Sequence, residues 1–144
     1  AANNDQPWSW QNHIKRMMQG RPYKGGRGGR MLWNCVDVRD VARAHRLCIE
    51  TSKGTNASRY ILSATDRSGE LFTWELQSLL NSMFPGVPEI GGEPMLDGAP
   101  AKTTYDAPRA YYLLARQELG LETFDLKTTL RDTVDSYYRL GLLE

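Results

Sequence analysis

Asp37 and Asp40 are the side chains whose type and spacing first suggest chemistry. Two carboxylates three residues apart could form a general acid and base pair. They stand, however, between a run of β-forming residues and a helical pattern, where a carboxylate accepts the free backbone N–H groups of the first turn. We interpret both as helix caps, and expect Asp40→Ala to cost about 1 kcal/mol of stability.

The two histidines and two cysteines do not form a metal-binding or nucleophilic pattern. His45 has no second ligand at a suitable spacing, which predicts a hydrogen-bonded structural histidine on the inward face of its helix, and His13 is assigned to the surface. Cys35 and Cys48 are interpreted as a strand residue and an apolar core residue. No metal site is predicted, and two isolated cysteines favour a reducing, cytoplasmic location.

The basic segment K-G-G-R-G-G-R at residues 24–30 is the feature that could contact nucleic acid. Its four glycines predict a flexible loop. The segment has two interpretations, an RNA-binding segment or a solvated loop. The net charge of the whole chain favours the solvated loop. With 18 Lys and Arg against 17 Asp and Glu, the net charge is +1, too small a field for sequence-independent phosphate binding. We therefore predict no nucleic-acid partner, and no membrane partner because apolar runs are short.

Apolar periodicity predicts the elements that would position these residues: five helices and two or three short strands. Four of the predicted helices cover residues 8–20, 73–85, 106–120 and 126–139, and the predicted strands cover 31–38, 59–63 and, briefly, 102–105. The remaining helix is predicted to begin at Asp40, or a turn earlier at Asp37, and to end at Lys53-Gly54. Thr73 is the predicted N-cap of the third helix. Four prolines and four glycines predict an extended loop over residues 85–100.

This inventory predicts an α/β fold that is rich in helix and poor in strand. The strand, helix, strand order between Leu32 and Ser63 is typical of a parallel sheet. Two or three short strands do not form a stable sheet alone, and parallel sheets are normally covered on both faces. We therefore expect one side of a larger fold, with residues 1–144 forming a single portion and residues 1–7 a disordered stretch or linker.

Residues 36–45, V-D-V-R-D-V-A-R-A-H, carry a resemblance to a known family. The segment resembles the C-terminal half of extended short-chain dehydrogenase/reductases, in the branch of dihydroflavonol reductases, cinnamoyl-CoA reductases and NADPH-dependent aldehyde and ketone reductases. Further agreeing segments are Trp8-Ser9, Arg59-Tyr60-Ile61-Leu62, Glu75-Leu76, Phe84-Pro85, Leu119-Gly120-Leu121 and residues 129–143. The resemblance implies the C-terminal, substrate-binding part of a Rossmann-fold enzyme whose N-terminal dinucleotide-binding half is missing here.

The family resemblance implies NADP(H) in the complete enzyme, bound through an N-terminal glycine-rich turn. The glycine pairs at residues 25–26 and 28–29 do not satisfy G-x-G-x-x-G, because Met31 occupies the last position. We therefore expect this chain to bind no cofactor alone. By position, Trp8 and Ser9 match the segment beside the nicotinamide.

Catalysis in the family uses a Ser, a Tyr and a Lys four residues after the Tyr. The nearest pattern here is Tyr112 with Arg116, where a guanidinium cannot replace the lysine, so no catalytic residue is predicted. The resemblance places Trp8, Leu32, Trp33 and Asn34 in the substrate pocket. For the tryptophans, core packing is the competing interpretation, and for Asn34 it is a bond to the backbone.

The sequence thus predicts the substrate-binding portion of an NADP(H)-dependent oxidoreductase that reduces an aldehyde, ketone, flavonoid-like or acyl-CoA-like compound, without catalytic activity of its own. Its expected partners are a carbonyl substrate, the missing N-terminal Rossmann half and, through exposed strand edges, other copies of the chain. Two alternatives remain open. One is part of a nucleotide-sugar epimerase or dehydratase, and the other is a noncatalytic α/β interaction module that uses the glycine/arginine loop and residues 85–100.

Overall fold

The computed structural model describes residues 9–21, 32–33, 35–51, 60, 62, 71–88 and 112–144. The elements in chain order are α1 (Trp10–Met18), β1 (Leu32–Trp33), α2 (Val38–Glu50), β2 (Leu71–Phe72), α3 (Thr73–Met83), α4 (Tyr112–Leu119) and α5 (Leu126–Arg139). All five predicted helices are confirmed, and α5 has the predicted bounds. No helix in these described ranges has the length and apolarity that a bilayer crossing requires.

The described strands are shorter and differently placed than predicted. β1 and β2 are two residues each and pair in a two-stranded sheet. The strand predicted over 31–38 is seen only at Leu32–Trp33, and Cys35 lies beyond it, because Asp37 already starts the next helix. β2 was not predicted. Of the strand predicted over 59–63, Tyr60 and Leu62 are described and neither is in a strand, while the other three positions lie outside the described residues.

Several other predictions fall on residues that lie outside this description. They concern the N-terminal linker over residues 1–7, the glycine/arginine loop at 24–30, the start of the fourth helix at 106, and the brief strand at 102–105. The same holds for most of the loop predicted over 85–100, of which residues 85–88 are described.

The chain divides into two compact units, each with its own buried residues. Unit 1 comprises Ala1–Met31, Phe72–Ala99 and Leu130–Glu144, and unit 2 comprises Leu32–Leu71 and Pro100–Thr129.

In unit 1, α1 begins at a serine cap and buries one face. The Ser9 hydroxyl accepts the backbone N–H of Asn12 at 3.2 Å. Ile14 and Met17 are buried as the spacing predicts. The surface assignment of His13 is wrong, because its side chain is only 3% exposed and its ring meets Trp10 edge to face at 5.5 Å. Burial, and secondarily the nearby Arg16 charge, lowers the pKa of His13.

α3 and the second part of α5 supply further buried residues of unit 1. Leu76 and Leu80, one turn apart on α3, are fully buried, and α3 packs against α1. On α5, Val134 and Tyr137 point inward as predicted. The Tyr137 hydroxyl donates to the Gln11 carbonyl at 2.9 Å, which joins α5 to α1. Burial raises the pKa of Tyr137 to about 12, so the phenol stays a donor at neutral pH.

The N-terminus of α3 differs from the prediction. Thr73 was expected to be the N-cap, but the helix begins at Thr73 and the cap residue is Phe72. The Glu75 carboxylate accepts the Phe72 N–H at 2.8 Å, which performs half of a capping box. Thr73 is only 2% exposed, and its hydroxyl has no partner in the described part of the chain. The sequence pattern identified a hydroxyl near the helix start but placed the boundary one residue late.

In unit 2, α2 packs against α4 around small and aliphatic side chains. The buried cluster consists of Ala44, Ala115, Leu119 and Leu121, with Leu47, Tyr60 and Leu62 packed against it. The Tyr60 hydroxyl donates to the Glu118 carboxylate. Gly120, at φ +65°, ends α4 as predicted.

The predicted inward face of α2 is partly wrong. Ala44 is buried, but His45, predicted to face inward, and Cys48, predicted to lie in the core, are both exposed. His45 keeps the predicted hydrogen-bonded state, with Nδ1 2.8 Å from the Val41 carbonyl oxygen. The reason is that α2 carries apolar residues on two sides, and helical spacing alone cannot tell which side meets α4.

Gly20 provides a test of the turn that ends α1. It lies at φ +66°, donates to the Met17 carbonyl at 3.0 Å, and faces Pro88 so closely that an added Cβ would lie 2.6 Å from the Pro88 Cβ. Gly141 has the same φ of +66° with nothing within 4 Å. It is therefore a matched control for backbone strain alone.

We expect Gly141→Ala to lower the unfolding free energy by about 1 kcal/mol, the cost of a left-handed alanine. Gly20→Ala should lower the unfolding free energy by about 1–2 kcal/mol more than Gly141→Ala does, because Pro88 must also move. Urea denaturation followed by circular dichroism measures both. Equal losses in the two variants would show that the contact between Gly20 and Pro88 does not constrain the turn.

Candidate functional site

The junction between β1 and α2 in unit 2 contains the two aspartates that the sequence analysis singled out. Asp37 is the N-cap of α2, as predicted, with extended backbone and a carboxylate that accepts the Arg39 N–H at 2.9 Å. The Arg39 side chain donates to the same carboxylate through Nε at 2.9 Å and Nη2 at 2.7 Å. Thr129 Oγ1 donates to Asp37 Oδ2 at 2.9 Å. Asp37 thus fixes the start of α2 against the first turns of α5.

Asp40 does not cap α2, and that prediction is wrong. Its side chain is 1% exposed and accepts the backbone N–H of Phe124, 84 residues away in sequence, at 3.0 Å. Arg43 Nη2 donates to the other carboxylate oxygen at 3.0 Å. Asp37 already occupies the cap, so Asp40 falls in the first turn and its carboxylate points to the segment that precedes α5.

Phe124 completes this arrangement as a platform for two cations. The Arg39 guanidinium carbon lies 3.9 Å from the centre of its ring and that of Arg43 lies 5.3 Å from it. The side chains of both arginines are about two-fifths exposed, whereas the two carboxylates beneath them are almost fully buried. We call these five residues, with Thr129, the Asp37–Asp40 cluster.

The surroundings of the two carboxylates in the cluster shift their pKa values in opposite directions. Hydrogen bonds from the Arg39 side chain lower the pKa of Asp37 to about 2, assisted by the Arg39 N–H and by Thr129. Desolvation raises the pKa of Asp40, against the opposing effects of the Phe124 N–H and the Arg43 charge. The hydrogen bonds of Asp40 with Phe124 and of Asp37 with Thr129 join the start of α2 to residues 124–129, while Arg39 and Arg43 hold the same carboxylates locally. The arrangement is therefore a structural clamp, and its carboxylates are engaged by partners within the fold.

The structure describes three of the five residues predicted to bind cofactor or substrate. Ser9 caps α1 in unit 1. In unit 2, Leu32 is the first residue of β1, and Trp33 is its second residue, with a side chain 2% exposed. Trp8 and Asn34 lie outside the described residues. The assignment of these five residues to a cofactor or substrate site remains a prediction.

Cys35 follows that strand but is poorly suited to act as a nucleophile. Burial, followed by the nearby Asp37 charge, raises the pKa of its thiol to about 12, so it stays protonated at neutral pH. Cys48, predicted to be a core residue, is exposed on α2.

Sequence reasoning missed Phe124 and Thr129 as members of the cluster. Local pattern gives no sign of either, because their partners lie more than 80 residues earlier in the chain. The one available signal was Asp125, whose carboxylate accepts the Thr128 N–H at 3.0 Å and marks the start of α5. That signal locates the helix but not what lies beside it.

Comparison with solved structures finds similar folds in longer enzymes. The chain is similar to the enzyme WbmF of Bordetella bronchiseptica in complex with NADH, with 21% identity and a TM-score of 0.67, over 91% of this chain and 37% of WbmF. A WbmF complex with NAD+ and UDP gives 21% identity and a TM-score of 0.65, over 90% and 36%. A reductase engineered to attenuate substrate inhibition in asymmetric catalysis gives 22% identity and a TM-score of 0.60, over 89% of this chain and 35% of the reductase. No protein-family model and no curated protein matches the chain.

These likenesses define the fold. The chain has a helix-rich α/β fold with little strand, shared with part of an enzyme that binds a nicotinamide dinucleotide. It spans about 37% of the length of that enzyme. The more specific resemblance to dihydroflavonol and cinnamoyl-CoA reductases stays a prediction.

Asp40→Ala tests the clamp. It leaves the Phe124 N–H and the Arg43 charge without their buried acceptor. We therefore expect the unfolding free energy to fall by about 2–3 kcal/mol, whereas the loss of a helix cap would lower it by about 1 kcal/mol. Asp40→Asn keeps an acceptor oxygen and should lose about 1 kcal/mol. Chemical denaturation of the two variants and the wild type provides the comparison. A loss below about 1 kcal/mol for Asp40→Ala would contradict a clamp.

The pKa of Asp37 predicts an acid-sensitive component of stability. A folded-state pKa near 2, below the ordinary 3.8, means that this carboxylate stabilises the fold above about pH 4 and loses that effect as pH falls towards 2. The contribution of Asp40 to stability changes with pH in the opposite direction, because its raised pKa favours protonation in the folded state. We therefore expect the stability gap between wild type and Asp37→Asn to narrow between pH 5 and about pH 2. Urea midpoints at each pH measure it, and a constant gap would be inconsistent with the assignment.

Proposed function

We propose that the chain is the substrate-binding portion of an NADP(H)-dependent oxidoreductase of the extended short-chain dehydrogenase/reductase type, which reduces an aldehyde, ketone or related carbonyl compound. The observation that carries the proposal is the fold match over 91% of this chain to 37% of an enzyme in complex with NADH. The V-D-V-R-D-V-A-R-A-H segment adds to it through its resemblance to this family, and its first aspartate caps α2, the helix that follows β1.

Within the proposed enzyme, Trp8 and Ser9 would lie beside the nicotinamide, and Leu32, Trp33 and Asn34, together with Trp8, would line the substrate pocket. A tryptophan and an amide suit a mostly apolar pocket with few orienting polar groups. The cofactor, when bound, supplies hydride. This sequence contains no G-x-G-x-x-G turn to hold its pyrophosphate, so those contacts and the Ser, Tyr and Lys would come from another part of the enzyme.

A second candidate is a portion of a nucleotide-sugar epimerase or dehydratase. One observation favours it, namely that a structure similar to this chain holds UDP together with NAD+. The two candidates differ in the ligand that fills the substrate pocket, a carbonyl compound in the first and a nucleoside diphosphate group in the second.

The test compares the 144-residue chain with the product of the complete reading frame that encodes it. Isothermal titration with NADPH, NADH and UDP, followed by an assay of NADPH oxidation with a panel of aldehydes and ketones, separates the candidates. Binding and turnover of NADPH by the complete product, with no binding by the chain alone, supports the reductase. UDP binding without carbonyl turnover supports the second candidate, and a complete product that binds no dinucleotide overturns both.

A variant pair tests the pocket in the active product. Trp33→Phe should raise KM for the carbonyl substrate several-fold and leave KM for NADPH unchanged, because the proposed pocket places the indole beside the substrate and not beside the cofactor. Trp74→Phe is the matched control, since Trp74 lies on α3 and has no proposed role. Equal effects of the two variants would remove Trp33 from the pocket.

A further inference from the structure

One side of α2 is apolar and exposed although the helix already has a buried side. Asp40 and Ala44 are buried. At 3.6 residues per turn, the opposite side carries Val38, Ala42, His45 and Ile49, with Cys48 next to them. All five are exposed, Val38 by 77% and Ile49 by 86%. We call these five residues the outer face of α2.

The outer face has the composition of a buried surface. None of its five residues is Asp, Glu, Lys or Arg. His45 does not interrupt it, because its Nδ1 already contacts the Val41 carbonyl oxygen of the same helix at 2.8 Å. A helix that is apolar on two opposite sides is typical of the interior of a larger fold. A side chain as large as Ile49 at 86% exposure stabilises nothing unless a neighbour covers it.

Apart from the buried Asp40, the charged residues of α2 lie on one flank of this face. Arg39, Arg43, Arg46 and Glu50 fall together there on the helical wheel, whereas the other flank, beyond Cys48, holds the uncharged Val41. In an antiparallel pairing of two copies through the outer face, each basic flank would meet the same basic flank of the other copy. Like charges at such positions disfavour the pairing. The charge distribution thus argues against a second copy as the occupant.

We infer that the outer face of α2 is the docking surface for the dinucleotide-binding α/β part of the complete enzyme. The inference rests on the proposed function and adds the surface through which the two parts join. The fold match supports this occupant, since about 37% of WbmF corresponds to this chain and the remainder belongs to an enzyme that binds NADH. The partner surface should be apolar, with acidic side chains placed against Arg46 and its neighbours.

Cys48 provides a direct probe, because it is exposed on this face while Cys35 is half-buried with a raised pKa. Alkylation by N-ethylmaleimide at pH 7.5, followed by intact mass and peptide mapping, is measured for the 144-residue chain and for the product of the complete reading frame. We expect rapid modification of Cys48 in the chain and at least ten-fold slower modification in the complete product.

Ile49→Glu and its matched control Ile49→Leu complete the experiment. In the 144-residue chain both should leave the unfolding midpoint unchanged, because position 49 is exposed. In the complete product only Ile49→Glu should lower the melting temperature and weaken NADH binding.

The outcomes separate this inference from the proposed function. A complete product that binds and turns over NADPH while Cys48 reacts as fast as in the chain overturns the docking surface and leaves the proposed function standing. A complete product that binds no dinucleotide overturns both. Protection of Cys48 in the 144-residue chain that increases with its concentration would identify a second copy as the occupant, and would also overturn the inference.

Discussion

The hydrogen bond from the Phe124 backbone N–H to the buried Asp40 carboxylate is the constraint on which much of unit 2 depends. It joins the first turn of α2 to the segment before α5, and the bond between Thr129 and Asp37 adds a second link between the same two places. A buried carboxylate is costly unless its oxygens are engaged. Here Arg43 and the Phe124 N–H engage Asp40, and the position of residues 124–129 follows from that requirement.

This constraint changes the meaning of the charged motif at residues 36–45. Carboxylates and arginines in such density suggest acid, base or anion-binding chemistry when they are considered as residue types. In the folded chain they form a clamp, in which Asp37 is held ionised by Arg39 and Asp40 is held by a remote backbone group. The role of the motif in the folded chain is therefore structural, since it fixes the start of α2, the helix that follows β1.

The two sides of α2 present a related contrast. Its inner side packs on α4 in a buried cluster of Ala44, Ala115 and Leu119, which Leu121 joins just after the end of α4. Its outer face has no such neighbour among the described residues and is as apolar as the inner side. The amino-acid pattern of this helix is thus suited to a chain with more structure around it, in agreement with a fold that matches only about 37% of a longer enzyme.

The sequence by itself determined the presence of the helices and several of their ends, because these features depend on local physical chemistry. Glycine at positive φ ends α1, α4 and α5, a carboxylate starts α2, and the inward face of α5 follows from apolar spacing, since each depends on residues within one or two turns. Only the tertiary structure decided that His13 is buried, that Ile49 is exposed, that β2 exists, and that Asp40 bonds to Phe124. These outcomes depend on which surfaces meet across tens of residues, and neither spacing nor propensity records that choice.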